Sequence, residues 1–274
     1  MILAAFIAAG CNDAPPPVLI DTHWSFTCRV VEGQLECWGV LPVELGDPSE
    51  LEATSISVRT RNQCVIHGGT TTCRGDTTNG VNSAVHGLGR ITVGVDFACG
   101  VTEEEGSLVC WGEQVPVEEA FPGSIVGLDA GTHDVCVIVE GGDVRCWGNQ
   151  GSVLEVPPDF EPAAQVAVGS DFACMLDAAG IVTCWGPEDP LQDKPLDRSY
   201  ALIDATETLC AATSDGSVEC RVHGFEEGEG TYAPSEAYGE LVGLAAGYGH
   251  YCVLTVEDEV FCAGDNESGQ ASPP

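Results

Sequence analysis

The stretch VAVGSDFACMLDAAGIVTCWG, residues 166–186, is the most regular part of the chain. Apolar and polar residues roughly alternate in it and glycines interrupt the alternation, which is the pattern of β-strands joined by tight turns. It predicts a strand, a bend, a strand, a tight turn and a strand at residues 166–168, 169–171, 172–177, 178–180 and 181–185. Cys174 and Cys184 lie at matching distances from the turn, so we expect them to face each other across a hairpin.

The same unit recurs along the chain. All of the 15 cysteines except Cys11 form pairs whose members are 9 to 11 residues apart. The first cysteines of successive pairs are 35 to 42 residues apart, and a period of this length is typical of repeat proteins. The seven pairs are Cys28 with Cys37, Cys64 with Cys73, Cys99 with Cys110, Cys136 with Cys146, Cys174 with Cys184, Cys210 with Cys220, and Cys252 with Cys262.

Two further positions recur in most repeats. A glycine stands five residues before the first cysteine, where a positive φ or a crowded backbone would require it: Gly94, Gly131, Gly169 and Gly247. A tryptophan follows the second cysteine: Trp38, Trp111, Trp147 and Trp185. We interpret these tryptophans as packing residues between neighbouring units, because buried aromatic side chains dominate core energetics.

The pattern G-x-x-[DHF]-x-C, hairpin, C-W-G, N-x-x-G-Q resembles the regulator of chromosome condensation repeat as exported bacterial proteins carry it. The resemblance spans residues 18–270; Gly264–Gln270 carries the tail most clearly, Gly148–Gly151 keeps a trace, and the other repeats lack it. It implies an all-β fold, a seven-bladed β-propeller with short, mostly three-stranded blades. The count of seven repeats agrees, and radial repetition leaves no long free sheet edges. No strand is expected to swap across the seam.

The cysteine pairs have three interpretations. One disulfide within each blade fits best, because opposed residues of antiparallel strands bring their Cα atoms near the required separation. Structural zinc sites usually use closer cysteine pairs than any found here. Free redox thiols would need a C-x-x-C motif or a lone activated cysteine. We therefore expect structural disulfides and no metal site.

Composition narrows the classes of function and the compartment. Nine basic and 43 acidic residues give a formal net charge of −34, which disfavours nucleic acids and anionic lipid surfaces and favours basic partners. Fifteen cysteines indicate an oxidising compartment. Runs of acidic residues such as Glu103–Glu105 are expected to form solvated loop tips, because no calcium-loop motif accompanies them.

The N-terminus suggests export. Met1–Gly10 is apolar and uncharged and ends in small residues before Cys11, and Ile-Ala-Ala-Gly-Cys resembles a bacterial lipoprotein box. The resemblance implies a signal peptide at residues 1–10, lipidation of Cys11, a Pro-rich tether at residues 11–17 and the propeller at residues 18–274. A lipoprotein of this type carries three lipid chains, which anchor firmly where one chain binds only marginally. We expect a monomer held in the bacterial envelope (periplasm, outer membrane or cell surface) by this anchor alone.

No catalytic motif is found. The six histidines are scattered, and no G-x-S-x-G, H-E-x-x-H, P-loop or dinucleotide pattern occurs. We expect no enzymatic activity and no cofactor. His133 and His250 stand just before a first cysteine, where a structural hydrogen bond to a neighbouring blade is the favoured interpretation.

One set of equivalent positions is a candidate binding surface. In a propeller, the residues three positions before each first cysteine encircle one face; here they are Ser25, Arg61, Asp96, His133, Asp171, Glu207 and Gly249. Their chemistry varies while the scaffold stays constant, which suits recognition of a protein or polysaccharide. Alternatives are an inhibitor of an exported enzyme, an enzyme with a site in the central channel, and a structural envelope component. Guanine-nucleotide exchange, known in the eukaryotic family namesake, is disfavoured by the charge, the disulfides and the export signal.

Overall fold

Seven small antiparallel sheets, one for each cysteine pair, surround a central channel in a computed structural model of the chain. The structure describes residues 19–41, 53–59, 62–75, 80–117, 120–148, 155–158, 160–192, 195–222 and 237–274. The first strands of consecutive repeats contact each other, and the first strand of the chain contacts that of the last repeat. These strands therefore form a closed inner ring, and the predicted seven-bladed propeller is confirmed.

Each blade is a meander of three strands running outward from the channel. The inner strands are β1 (Ile20–Thr22), β4 (Ser55–Arg59), β8 (Leu88–Val93), β11 (Ile125–Ala130), β14 (Ala163–Val168), β17 (Leu202–Ala205) and β20 (Leu241–Ala246). The middle strands are β2 (Phe26–Val31), β5 (Asn62–His67), β9 (Phe97–Thr102), β12 (Asp134–Val139), β15 (Ala173–Asp177), β18 (Thr208–Ala212) and β21 (His250–Thr255). The outer strands are β3 (Gln34–Gly39), β6 (Thr70–Gly75), β10 (Leu108–Gly112), β13 (Val144–Gly148), β16 (Val182–Trp185), β19 (Val218–Val222) and β22 (Val260–Gly264), and β7 (Val85–His86) adds a short fourth strand to blade two.

The described residues contain strands and turns but no helix. No helix in this part of the chain is long and apolar enough to cross a membrane.

The register of blade five follows its sequence pattern. β15 pairs with β16 so that Cys174 lies opposite Cys184, and the two form a disulfide. β14 begins three residues before the predicted first strand.

The other six cysteine pairs are bonded in the same way, each across the hairpin between a middle and an outer strand. Disulfides join Cys28 to Cys37, Cys64 to Cys73, Cys99 to Cys110, Cys136 to Cys146, Cys210 to Cys220, and Cys252 to Cys262. The prediction of one disulfide in each blade is therefore confirmed.

The two cysteines of a pair differ in burial. The first cysteine, on the middle strand, is fully buried in every blade. The second, on the outer strand, is buried in two blades, as Cys73 and Cys220. It is only partly buried in the other five, as Cys37, Cys110, Cys146, Cys184 and Cys262. The outer half of most of these bonds is thus closer to solvent than the inner half.

The hydrophobic core is divided into seven clusters, one between each pair of neighbouring blades. Between blades five and six, for example, Phe172 and the disulfide cysteine Cys174 pack against Ile203 and Leu209. Every disulfide occupies the corresponding position in its own cluster. Trp185 is 6% exposed and lies in the cluster between blades four and five, which agrees with a packing role.

The recurrent glycine before the bend is explained by crowding. A Cβ at Gly131 would overlap the carbonyl oxygen of Gly169 in the next blade, and a Cβ at Gly169 would lie 2.5 Å from the carbonyl oxygen of Thr206. Neither glycine has a positive φ. At these two positions glycine therefore lets the backbones of adjacent bends approach each other closely. A Cβ at Gly94 or Gly247 would instead meet the ring of Phe97 or His250 in its own bend.

The seam between blades seven and one is closed by side chains, and the described residues exchange no strand across it. Ile20 and Trp38 of blade one pack against Ala245 and Leu254 of blade seven, so the seam has the same kind of apolar cluster as the other interfaces. On the other side of this interface, the Arg29 guanidinium donates a hydrogen bond to the carbonyl of Asp258 (3.1 Å).

The end of the chain completes the seam. The indole N–H of Trp38 and the hydroxyl of Thr27 both donate to the carbonyl oxygen of Gln270, at 2.8 and 2.9 Å. The indole of Trp111 donates in the same way to the carbonyl of Val81, at 2.9 Å. Gln270 and Val81 each stand eight residues after the second cysteine of their own repeat.

This equivalence adds to the sequence analysis. Repeat two lacks the tail motif, as expected, but its Gly80 and Val81 occupy the positions that Gly269 and Gln270 hold in repeat seven. The tail supplies a backbone carbonyl to the tryptophan of the next blade, and a backbone carbonyl does not depend on the side chain that carries it. A residue other than glutamine can therefore make this contact.

We predict that Trp38→Phe and Trp111→Phe lower the free energy of unfolding by similar amounts, about 1 kcal/mol each. Both changes keep an aromatic ring and remove one hydrogen-bond donor, which is buried at Trp38 and partly buried at Trp111, so they test whether the seam is as tight as an internal interface. The measurement is urea denaturation of the oxidised protein. A cost for Trp111→Phe with none for Trp38→Phe would show that the seam is open in solution.

Candidate functional site

The propeller has two distinct ends. The bends that join inner to middle strands lie at one end, which we call the bend face, and the hairpins that join middle to outer strands lie at the other, the hairpin face. Neighbouring bends are hydrogen-bonded to each other: Val95 N donates to Thr132 O at 3.2 Å, and Ser170 N donates to Thr206 O at 3.0 Å. The bend face is thus a continuous surface over these blades.

The predicted ring of residues lies on the bend face, one residue in each blade. Arg61 lies outside the described residues, and the other six are partly buried: Ser25, Asp96, His133, Asp171, Glu207 and Gly249. Their carbonyls take part in the fold, since those of Ser25, Asp96 and Gly249 accept hydrogen bonds at 2.7–3.0 Å from residues that follow the outer strand. The backbone thus holds this position, whatever its side chain.

Two of the ring's acidic side chains are already hydrogen-bonded. Asp96 Oδ2 accepts from the amide of Gln114 at 3.1 Å. Glu207 Oε1 accepts from the hydroxyl of Ser170, which also lies 3.0 Å from the hydroxyl of Thr132 in the preceding blade. Glu207 therefore ends a chain of hydroxyl groups that spans three blades, and its carboxylate is fixed in place.

An exposed aromatic pair stands on the same face at the seam. Trp24 and Tyr248 are 58% and 46% exposed, and their ring centroids are 5.1 Å apart. Both stand four residues before a first cysteine, where the other described repeats carry Val95, Thr132, Ser170 and Thr206. The sequence analysis missed this pair, although two large aromatic residues at a position otherwise occupied by small ones were a usable signal.

Two buried histidines flank the aromatic pair. His250 Nε2 lies 2.7 Å from the hydroxyl of Thr22 across the seam, as its position before the cysteine predicted, and burial lowers the pKa of His250. Burial also lowers the pKa of His23 to about 3, with a smaller contribution from the charge of Arg59. His23 is therefore uncharged at neutral pH.

The central channel holds a cavity of about 740 Å³ that is lined by the inner strands of all seven blades. At the hairpin face its mouth includes Val126 and Val242, which are 38% and 40% exposed. Both belong to register shifts, which also occur at the same place in β8 and β14. Such bulges add an unpaired residue and bend the strand, and they are frequent next to binding sites.

Three aspartates line the channel at one level, opposite the first cysteines of blades one, four and six. Each accepts a hydrogen bond from a backbone N–H of the next blade: Asp21 from Val58, Asp129 from Val168 and Asp204 from Ala246, all at 2.7 Å. An inner strand has no sheet partner on its channel side, so these carboxyls satisfy N–H groups that no neighbouring strand pairs.

The aspartates ionise less readily than usual. Burial raises the pKa of Asp21 to about 6 and that of Asp129 to about 7, and in both cases the charge of Arg59 opposes the shift. Burial raises the pKa of Asp204 as well, and the negative charges of Asp129 and Asp21 raise it further. The three carboxyls thus share one electrostatic environment.

Arg59 is a buried cation at the bend end of the channel. It is 6% exposed. Its Nη2 donates a hydrogen bond to the carbonyl of Ala130, and this bond connects blade two to blade four past the end of blade three. Its Nε is buried and has no hydrogen-bond partner within the described part of the chain. The sequence analysis did not identify Arg59 or the aspartates, because each is an isolated charge in its own repeat.

Among the described residues, no group of three or more His, Cys, Asp or Glu side chains is arranged to hold a metal ion. The channel aspartates therefore do not form a metal centre by themselves.

We predict that Asp129→Asn makes the protein more stable above pH 7. The folded-state pKa of about 7 exceeds the ordinary value of 3.8, so the folded protein binds the extra proton between about pH 4 and 7, and this contribution to stability is lost as the pH rises. The amide can still accept the hydrogen bond of Val168, so we expect a gain of about 5 °C in melting temperature at pH 8.

At pH 4 the variant and the parent protein should melt alike, because the aspartate is then uncharged in the folded protein. Glu104→Gln, on an exposed hairpin, is the matched control and should leave the pH profile unchanged. A gain at pH 4 equal to that at pH 8 would contradict the assigned pKa.

The comparisons with known proteins agree with this architecture. The family model described as the regulator of chromosome condensation (RCC1) repeat matches residues 242–270, which comprise most of blade seven and its tail. No curated protein sequence matches the chain.

Solved structures show the same fold at low sequence identity. The CRINKLY WD40 ectodomain of the Arabidopsis thaliana receptor kinase ACR4 superimposes with a TM-score of 0.73 at 18% identity, covering 94% of this chain and 98% of that one. The ectodomain of the Physcomitrella patens receptor kinase CR4 gives a TM-score of 0.73 at 18% identity, covering 90% and 73%. Prp20p from Saccharomyces cerevisiae gives 0.65 at 13% identity, covering 94% and 84%. The chain is therefore a seven-bladed β-propeller with one disulfide in each blade, and its last blade carries a regulator of chromosome condensation repeat.

Proposed function

We propose that the protein is a non-catalytic binding scaffold of the bacterial envelope that recognises a protein partner through the bend face. The observation that carries the proposal is the exposed pair Trp24 and Tyr248. Tryptophan and tyrosine are enriched among the residues that contribute most to protein interfaces. Neither ring is part of the apolar cluster at the seam, so packing of the fold does not explain why large aromatic residues stand at these two positions.

Charge indicates what kind of partner fits this face. The ring contributes three acidic side chains, Asp96, Asp171 and Glu207. A fourth acidic residue, Asp265, donates a backbone hydrogen bond to the carbonyl of Gly249, which follows Tyr248. The net charge of −34 steers basic surfaces toward the protein. Arginine or lysine side chains of a partner could stack on the exposed rings and pair with these carboxylates. A polysaccharide is the other partner that exposed rings and carboxylates would fit.

Propellers of the same fold are protein-binding modules. The report on the Prp20p structure describes binding to Gsp1p and histones, and another structure shows Kap60 bound to Prp20. We carry over the use of a propeller for protein binding and not those partners, because identities of 13% establish only the fold.

Seven disulfides indicate an oxidising, extracytoplasmic environment. Cys11 and the segment before it lie outside the described residues. We propose that Cys11 is lipidated and anchors the protein, as a monomer, to a bacterial membrane.

We predict that the triple change Asp96→Asn, Asp171→Asn and Glu207→Gln reduces recovery of the partner in a pull-down from the native envelope by at least about tenfold. Each replacement keeps the size of the side chain and removes a charge that a basic partner would meet, and one charge-assisted contact is commonly worth a tenfold change or more. Quantitative mass spectrometry of the captured proteins gives the ratio, and Trp24→Ala should remove the same protein.

The matched control is the triple change Glu104→Gln, Asp143→Asn and Glu257→Gln, which removes the same number of charges from exposed hairpins. It should bind like the parent protein, and all variants should melt within a few degrees of it. Loss of the partner with the control triple but not with the bend-face triple would assign binding to the hairpin face.

We predict that Cys11→Ser moves the protein from the membrane fraction to the soluble extracytoplasmic fraction, because it removes the site of lipid attachment. Fractionation followed by immunoblotting measures the distribution. An unchanged membrane fraction would contradict the proposed anchor while leaving the bend-face proposal intact.

A further inference from the structure

The groups that line the channel cavity can be ordered by depth. Because the inner strands all run from the hairpin face to the bend face, residue order along a strand gives depth in the channel. From the mouth inward, blade one contributes Leu19, Ile20 and Asp21, and blade two contributes Ile56, Ser57 and Arg59. In these two blades the order is thus apolar, then acidic or hydroxyl, then cationic, whereas blade three places a second cation, Arg90, on the mouth side.

Aliphatic residues lie on the mouth side of the aspartate level in every blade. The residue before the one opposite the first cysteine is aliphatic in all seven repeats: Ile20, Ile56, Ile91, Leu128, Val166, Ile203 and Leu244. Five of them are at most 5% exposed and pack in the inter-blade clusters, so the partly buried Leu128 and Leu244 are the two that a ligand in the cavity can contact. A cavity of about 740 Å³ with a mainly apolar wall and a few polar groups is typical of a small-molecule site, for which roughly 300–1,000 Å³ is usual.

The acidic level favours a cationic group. Asp21, Asp129 and Asp204 outnumber the two guanidinium groups that line the cavity, Arg59 at the deep end and Arg90 on the mouth side. Burial is the largest cause of the raised pKa of all three carboxyls. An ammonium group at this level would supply positive charge to the carboxylates.

The deepest level favours a hydrogen-bond acceptor. Arg59 lines the cavity, is more than nine-tenths buried, and has a buried Nε without a partner in the described residues. A guanidinium N–H taken out of water without an acceptor is costly, and a carboxylate is the acceptor that matches it best.

We propose that the channel binds a small zwitterion, an α-amino acid with an apolar side chain. The carboxylate faces Arg59, the ammonium group lies among Asp21, Asp129 and Asp204, and the side chain points toward Leu128, Leu244 and the mouth. The depths of these groups in the channel match the three parts of such a molecule in the same order. The mouth opens at the hairpin face, so this site is separate from the bend face and does not depend on the function proposed for it.

The test uses isothermal titration calorimetry of the full propeller with three probes of similar size. L-leucine carries both charges, isoamylamine lacks the carboxylate, and isocaproate lacks the ammonium group. We expect L-leucine to bind and each analogue to bind at least about tenfold more weakly, as expected for the loss of a charge-assisted contact. No binding of L-leucine, or equal binding of all three probes, would overturn the proposal.

Two variants assign the groups. The double change Asp129→Asn and Asp204→Asn should weaken L-leucine and isoamylamine but not isocaproate, and Arg59→Gln should weaken L-leucine and isocaproate but not isoamylamine. Glu104→Gln, outside the channel, is the control and should bind like the parent protein. Equal affinity of L-leucine for the parent and both channel variants would also overturn the proposal. If Arg59→Gln fails to fold, the three probes with the parent protein still decide the outcome.

Discussion

The disulfide pressed between neighbouring blades is the constraint on which the rest of this structure depends. Each one closes the hairpin between a middle and an outer strand, and its sulfur atoms also fill the apolar cluster shared with the next blade. A disulfide that closes a loop of about 10 residues stabilises a protein by roughly 2–3 kcal/mol. Three-stranded blades bury less apolar surface than four-stranded ones, so bonds that act within a blade and between blades offset a thin core. Reduction would therefore weaken the packing of the whole ring as well as single hairpins.

The same constraint positions the candidate sites. The first cysteine of each repeat sets the register of the middle strand, and the middle strand sets the register of the inner strand beside it. Residues opposite the cysteine consequently reach the channel at one depth in every blade, which is where Asp21, Asp129 and Asp204 lie. Residues that precede the cysteine by three or four positions reach the bend face at one height, where the backbone anchors them. A single repeated bond thus gives the chain two surfaces whose side chains can vary without disturbing the scaffold.

The parts of the fold that the sequence predicts are local ones. Strand alternation, turn glycines and the cysteine spacing of Val166–Gly186 lie within one repeat, and the observed strands differ from the expected ones mainly at the start of β14. The features that were missed arise between repeats. Asp129 accepts a hydrogen bond from the N–H of Val168 in the next blade, and Arg59 donates one to the carbonyl of Ala130 two blades away. The contact of Trp111 with the end of repeat two was not predicted, because it uses the backbone carbonyl of Val81 and a backbone atom leaves no residue pattern.

The aromatic pair depends on closure of the ring, because its two members lie on opposite sides of the seam. Trp24 belongs to the first blade and Tyr248 to the last, and beneath them Thr22 and His250, 228 residues apart, hold the two blades together. The Thr22 hydroxyl can donate to or accept from Nε2 of His250, and burial of His250 favours the neutral ring. A propeller whose seam opened would keep its blades, its disulfides and most of its core, yet it would separate the two rings. Recognition through this pair would therefore report that the ring is closed, and it places the proposed binding surface at the point where the last repeat meets the first.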